Sequence, residues 1–113
     1  AAASRQRSWC QATIDSNTNI RSNYGPLFGP VVVFGPNNFP FAFNSAAGGD
    51  FAAAIAAGNP VLAIANTGHP GTTRLLAEAA FQAVQECGLP SELVQLIYRT
   101  PPDVGIKLVA NPW

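Results

Sequence analysis

The chain reads as an α/β protein: a partial Rossmann-like three-layer unit built on a short parallel sheet. Three observations carry that reading. Short apolar runs recur, beginning near Val31, Val61 and Leu93. Alanine-rich segments with helical spacing lie between them. Gly, Pro or Asn closes each segment. Short apolar strands alternating with helical segments are the pattern of parallel strands joined by crossover helices.

Each element follows from local chemistry. Residues 2–14 read as an N-terminal helix with Trp9 and Ile14 as apolar anchors. Residues 15–30, rich in Ser, Asn, Gly and Pro, read as a connection. Residues 31–35 form the first strand: Val31-Val32-Val33-Phe34 is wholly apolar and stops at Gly35-Pro36, as suits a strand buried on both faces. Residues 45–57 are dominated by Ala, the best helix former, and Gly58-Asn59-Pro60 ends that helix. Its small side chains let it lie close on a sheet. Residues 61–65 are the second strand. A loop from Asn66 to Gly71 follows, and Thr72 or Thr73 can cap the next helix. That helix runs to about Cys87, with Leu75, Leu76, Ala79, Ala80, Ala83 and Val84 at helical spacing, and Gly88-Leu89-Pro90 stops it. Residues 93–98 are the third strand, Pro101-Pro102 breaks the chain, and residues 103–110 add a last helical turn or two.

The crossovers should be right-handed. The expected sheet has the first strand innermost and the third at an edge. Residues 1–25 are then a helix and its connection, and residues 26–113 a partial Rossmann-like domain that looks truncated. Its sheet edge needs cover from a remaining domain or from self-association.

Composition excludes several classes of function. Charged residues are 11% of the 113 and the formal net charge is zero, so no electrostatic case exists for nucleic acid or an anionic membrane surface. Two long stretches, 22–49 and 51–73, carry no charge, but Pro, Gly and Asn interrupt both, so neither is a membrane span. The Ala-rich start leads into Arg5, Gln6 and Arg7 rather than an apolar core, so no signal peptide is expected. Cys10, Cys87 and the single His69 form no metal constellation. Both cysteines read as packed, inert thiols in a reduced, cytoplasmic setting, and His69 as a loop residue. The GxGxxG dinucleotide fingerprint is absent: Gly48-Gly49 falls inside the helical run and reads as a helix-packing pair.

Candidate site residues cluster past the strand ends, where open α/β sheets bind ligands. Asn38 either closes a turn before Phe39-Pro40 or presents an amide donor. Arg99 is either an ordinary solvated arginine or a partner for phosphate.

The run Gly29-Pro30-Val31-Val32-Val33-Phe34-Gly35-Pro36-Asn37-Asn38-Phe39-Pro40 closely resembles the first cofactor-domain strand and loop of aldehyde dehydrogenases. Ala56-Ala57-Gly58-Asn59-Pro60-Val61 resembles their AAGN-x-V motif. Phe41 to Phe43, Gly48-Gly49-Asp50 and Gly68-His69-Pro70-Gly71-Thr72 look most like the branch acting on α-ketoglutaric semialdehyde (2,5-dioxovalerate), as does the stretch Arg5 to Ala12.

The resemblance implies oxidation of a semialdehyde to a carboxylate, with NADP or NAD as cofactor. It implies that Asn38 stabilises the oxyanion formed when a catalytic thiolate attacks the aldehyde. Ile64 stands where the family places a lysine that hydrogen-bonds the adenosine ribose. Thr67 stands where many NAD-preferring members place a glutamate, and its small side chain looks like NADP-accepting members; its other role is loop or cap chemistry. The family's GQ-x-C nucleophile motif, its E-L-G-G base motif and its F-T-G-S phosphate turn do not occur in these residues. Its oligomerisation hairpin is also expected to be missing, and residues 15–25 look shorter than the family's connection at that point. The resulting expectation is a fragment of an aldehyde dehydrogenase that is inactive alone. The alternative is a non-catalytic nucleotide-binding or interaction module.

Overall fold

The computed structural model describes residues 11–24 and 27–111, and the described chain opens with a hairpin. Strand β1 (Gln11–Asp15) pairs antiparallel with β2 (Ile20–Tyr24), with Asp15 opposite Ile20. The turn between them is built by one carboxylate. Asp15 Oδ1 accepts from the Asn17 N–H at 2.9 Å, and Oδ2 accepts from the Thr18 hydroxyl at 2.7 Å. Asn19 closes the turn at φ 54°, a left-handed conformation that asparagine tolerates. The Thr18 hydroxyl, followed by the Asn17 N–H, holds the Asp15 carboxyl below its ordinary value.

This corrects the expected N-terminal helix. Residues 11–15 are extended, while residues 2–10 of that helix lie outside the described residues. Thr13 and Ile14 are β-branched and stiff in a helix, and the Asp15 turn returns the chain to pair with them. The supposed connection thus contains β2, and a hairpin stands where none was expected.

Five further elements alternate: β3 (Val31–Phe34), α1 (Gly49–Ala56), β4 (Val61–Ile64), α2 (Pro70–Glu86) and β5 (Val94–Ile97), the last entered through a 3-10 turn at Ser91–Leu93. Helix α3 (Pro102–Val109) follows. The three strands form one parallel sheet in the order β3-β4-β5, in a register that aligns Val31, Val61 and Val94. The expected partial α/β Rossmann-like unit is therefore present. The first strand is not innermost, however: β4 is central, flanked by β3 and β5.

Both crossover helices end in the same way. Gly58 and Gly88 adopt φ 86° and 65°, so each chain end can fold back. Their N–H groups donate to Ile55 and Gln85, and the next N–H groups, of Asn59 and Leu89, donate to Ala54 and Val84. That is the Schellman pattern, which satisfies the last carbonyls of a helix.

The helix starts differ from expectation. Helix α1 begins at Gly49 rather than near 45, because Asn44 turns the chain first: its Oδ1 accepts from the Ala46 N–H at 2.9 Å. A Cβ on Gly48 would lie 2.6 Å from the Asn44 backbone nitrogen, so this glycine serves the turn rather than helix–sheet packing. Helix α2 begins at Pro70 with His69 as N-cap, not with Thr72 or Thr73. Proline suits the first helical position because its missing N–H would have no partner there.

Helix α1 packs on β3 and β4, and α2 on β5. The core is made of small side chains, Val33, Ala46, Ala54, Val61, Ala63 and Ala77, flanked by Phe51, Ile55, Leu76 and Leu96. Behind it, Asn59 is 3% exposed and clamps the segment entering β3. Its Oδ1 accepts from Leu27 N–H at 3.1 Å, and its Nδ2 donates to the Leu27 and Gly29 carbonyls at 2.7 and 2.9 Å.

Asn59→Ala removes all three bonds and strands partly buried backbone groups, so it should destabilise the chain by about 2–3 kcal/mol. Denaturant unfolding checks this; a loss under about 0.5 kcal/mol, the level of a neutral surface change, would contradict it. The depressed Asp15 carboxyl makes a second prediction. Its turn bonds are complete above the ordinary carboxylate value of 3.8 and are lost as pH falls through the lower folded-state value. Amide signals of Asn17 and Thr18 should therefore titrate with a midpoint below 3.8, as an NMR titration would show.

Candidate functional site

An open cleft of about 970 Å³ lies across the C-terminal ends of β3, β4 and β5 and is walled by α3. Parallel strands deliver their ends to one edge, so residues distant in sequence meet there. Phe34 and Ile64 come from the ends of β3 and β4, Thr67 from the loop after β4, and Arg99 from the segment after β5. Ile106 and Val109 of α3 face them across the cleft and are largely exposed. The walls are thus mainly apolar. Arg99 is the only charged residue among those lining the cleft. Such a slot, lined by one guanidinium and the hydroxyls of Thr67 and Thr100, suits a ligand with a flat apolar part and an anionic or hydroxylated edge.

The three positions singled out for the cofactor, Ile64 of the lost lysine contact, Thr67 and Arg99, therefore line one cleft. Ile64 is 5% exposed and offers it only hydrocarbon. Thr67 and Arg99 are exposed. Asn38 is not among the lining residues. It lies exposed on the bend after β3, next to the turn of residues 40–43. That turn is closed by the Phe43 N–H donating to the Phe39 carbonyl at 3.3 Å, and the Phe39 and Phe43 rings meet edge to face at 5.5 Å.

Side chains from two other segments hold this bend. Asn44, 1% exposed, donates through Nδ2 to the Pro40 carbonyl at 2.8 Å and to the Thr73 hydroxyl of α2 at 3.1 Å. Asn66 Nδ2 donates to the Gly35 carbonyl at 3.1 Å, and His69 Nε2 lies 3.0 Å from the Pro36 carbonyl. Sequence reasoning singled out neither Asn44 nor Asn66, and it read His69 only as a loop residue. The available signal was the density of Asn and His immediately past strand ends, where side chains must satisfy irregular backbone.

One further expectation is settled by position. Cys87 caps the C-terminus of α2 and is exposed, not packed; Cys10 lies outside the described residues. Among the described residues no cluster of His, Cys, Asp and Glu could hold a metal ion, and no helix is long and apolar enough to cross a membrane.

A strand–helix repeat with a cleft at its strand ends, beside an asparagine-bearing bend, defines an α/β unit of the ligand-binding kind. All 113 residues match the model of the aldehyde dehydrogenase family, and the chain belongs to that family. It is 46% identical over 84 residues to alpha-ketoglutaric semialdehyde dehydrogenase 2 of Azospirillum brasilense, covering 74% of this chain and 16% of that protein. It is equally identical over 84 residues to the alpha-ketoglutaric semialdehyde dehydrogenase of Acinetobacter baylyi, covering 74% of this chain and 15% of that protein. The bifunctional protein PutA of Rhizobium meliloti is 40% identical over 96 residues, which cover 80% of this chain and 7% of PutA. The chain thus spans about 16% or less of these relatives.

Proposed function

We propose that this chain supplies the adenosine end of an NAD(P) site and the oxyanion loop of an aldehyde dehydrogenase acting on a semialdehyde such as α-ketoglutaric semialdehyde. The observation that supports this best is the convergence of Ile64, Thr67 and Arg99 on one cleft at the strand ends. They come from two strand ends and a loop, and periodicity alone would not bring them together.

The residues fit the adenosine end of a dinucleotide in part. The apolar walls of Phe34, Ile106 and Val109 suit a flat base. The small Thr67 leaves room at the rim, and Arg99 can face a 2′-phosphate, which favours NADP over NAD. Ile64 gives no hydrogen bond to the ribose. A charge-assisted hydrogen bond typically contributes about 1.5–3 kcal/mol, so its absence weakens affinity by roughly 10- to 100-fold. When bound, the dinucleotide supplies the hydride acceptor. What this chain adds to the reaction is the Asn38 amide, a preorganised donor aimed at charge that develops on the aldehyde oxygen; such a donor commonly contributes about 3 kcal/mol.

These 113 residues contain no GQ-x-C nucleophile motif. A cytoplasmic setting goes with the free Cys87 thiol. Exposed Leu27, Phe28, Phe39 and Phe41 suit cover by a further domain or a second copy. A second reading, a non-catalytic nucleotide-binding or interaction module, is favoured by one observation: apolar Ile64 in the lysine's place.

The isolated chain should produce no NADPH from a semialdehyde. NADPH production that is lost on substituting Cys10 or Cys87 would overturn that. Calorimetry should show weak or absent NADP binding to this chain, and Ile64→Lys should tighten it by roughly tenfold or more. The new stem would lie where the Ile64 side chain lies, with its ammonium in the open cleft. Unchanged affinity in a folded Ile64→Lys variant would count against the cofactor placement.

A further inference from the structure

The loop after β4 grips the loop after β3 at two consecutive carbonyls. Asn66 holds the Gly35 carbonyl, and His69 holds that of Pro36, at 3.1 and 3.0 Å. A carbonyl can only accept, so the proton of the imidazole sits on Nε2. Asn37 and Asn38 follow directly. Two consecutive peptide groups held in this way set the direction in which the chain enters the bend, as well as its position.

The Asn66 side chain and the His69 backbone are themselves fixed. Asn66 Oδ1 accepts from the Gly68 N–H at 2.9 Å, which turns its Nδ2 toward Gly35. His69 donates its own N–H to the Asn66 carbonyl at 3.2 Å, and its carbonyl accepts from the Thr73 N–H at 3.3 Å as α2 begins. Its Nδ1 is buried with no partner among the described residues, so there the Pro36 bond alone orients the ring. The bend also rests on the same loop directly: a Cβ on Gly68 would collide with Asn37 Oδ1.

We propose that His69 and Asn66 are positioning residues for Asn38, and that the loop carrying Thr67 into the cleft sets where the Asn38 amide stands. The inference rests on the reading of Asn38 as the oxyanion donor. A donor of this kind has to be held within about 0.5 Å to be effective, and its support comes from locked neighbours. Asn38 is two residues beyond Pro36, a span of at most about 7 Å, so a reoriented Pro36 carbonyl redirects the short piece of chain that carries it.

The alternative is a tie that only adds stability. NMR of the 15N-labelled chain separates the two, because it reads Asn38 itself. His69→Gln can return an N–H donor near the place of Nε2, whereas His69→Ala cannot. His69→Ala should shift the backbone and side-chain amide signals of Asn37 and Asn38 while those of β5 and α3 stay in place. His69→Gln should restore them. Asn38 signals that do not move in folded His69→Ala overturn the proposal, as does a folded His69→Gln that fails to restore them. Where His69→Ala does not fold, Asn66→Asp decides, since it keeps the oxygen facing Gly68 and loses the donor to Gly35: displaced Asn38 signals support the positioning role, and unmoved ones overturn it. Unmoved signals leave the oxyanion reading standing. Displaced signals stand even if Asn38 proves to touch no oxyanion.

Discussion

Irregular backbone at the two ends of a short parallel sheet has to find hydrogen-bond partners, and in this chain four side chains provide them. The three strands have four residues each, so much of the fold is loop. Buried loop N–H and C=O groups left unpaired would each cost as much as a lost hydrogen bond. A side-chain amide meets this need because it donates and accepts at once. Asn59 clamps the entry to β3. Asn44, Asn66 and His69 clamp the loops at the opposite, C-terminal ends of the strands. The core between these clamps is largely alanine and valine, which bury little area each, so the polar clamps carry an unusual share of the fold's definition.

Side-chain chemistry decides which parts of this were legible in the sequence. The strands were legible because Val31–Phe34 and Val61–Ile64 are wholly apolar and bounded by turn residues. Helix α2 was legible from its spacing. The hairpin was not: Ile20–Tyr24 is mostly polar, and its Ser/Asn-rich tip looks like any connection. Asn59 was legible only as part of a helix stop. Its C″ position in the Schellman pattern is local and visible, but its clamp reaches residues thirty positions away, which no local pattern encodes. Cys87 was misread as packed because it falls on the apolar spacing of α2. It sits at the helix end, where the chain turns away and leaves the side chain exposed.

The candidate site divides the same way. Ile64 and Thr67 could be placed from resemblance and Arg99 from its guanidinium at the end of the third strand, and the parallel sheet brings all three to one edge. Asn38 offered two readings, turn former and amide donor, and the structure places it exposed on the bend after β3. In the proposed function that bend presents the amide, and the chain entering it is held from outside by Asn66 and His69. A residue that presents a group is visible in its own motif. Residues that hold the presenting loop belong to another segment, and sequence separation hides them.

This division has a physical consequence for how the chain can change. Ile64 lies in the ladder between Phe34 and Ile97, with its backbone fully engaged and its side chain at the cleft. A side chain there can lose a charge while every strand bond is kept, so a ligand contact can vanish and leave the fold intact. Asn66 and His69 have no such freedom. The side-chain atoms that hold Gly35 and Pro36 are the same atoms that satisfy two carbonyls with no other clamp, so a change there alters loop and bend together. On the proposed reading, a side chain such as Ile64 can change without touching the bonds that hold Gly35 and Pro36, whereas releasing the grip of Asn66 also disturbs the cleft, because Asn66 lines it.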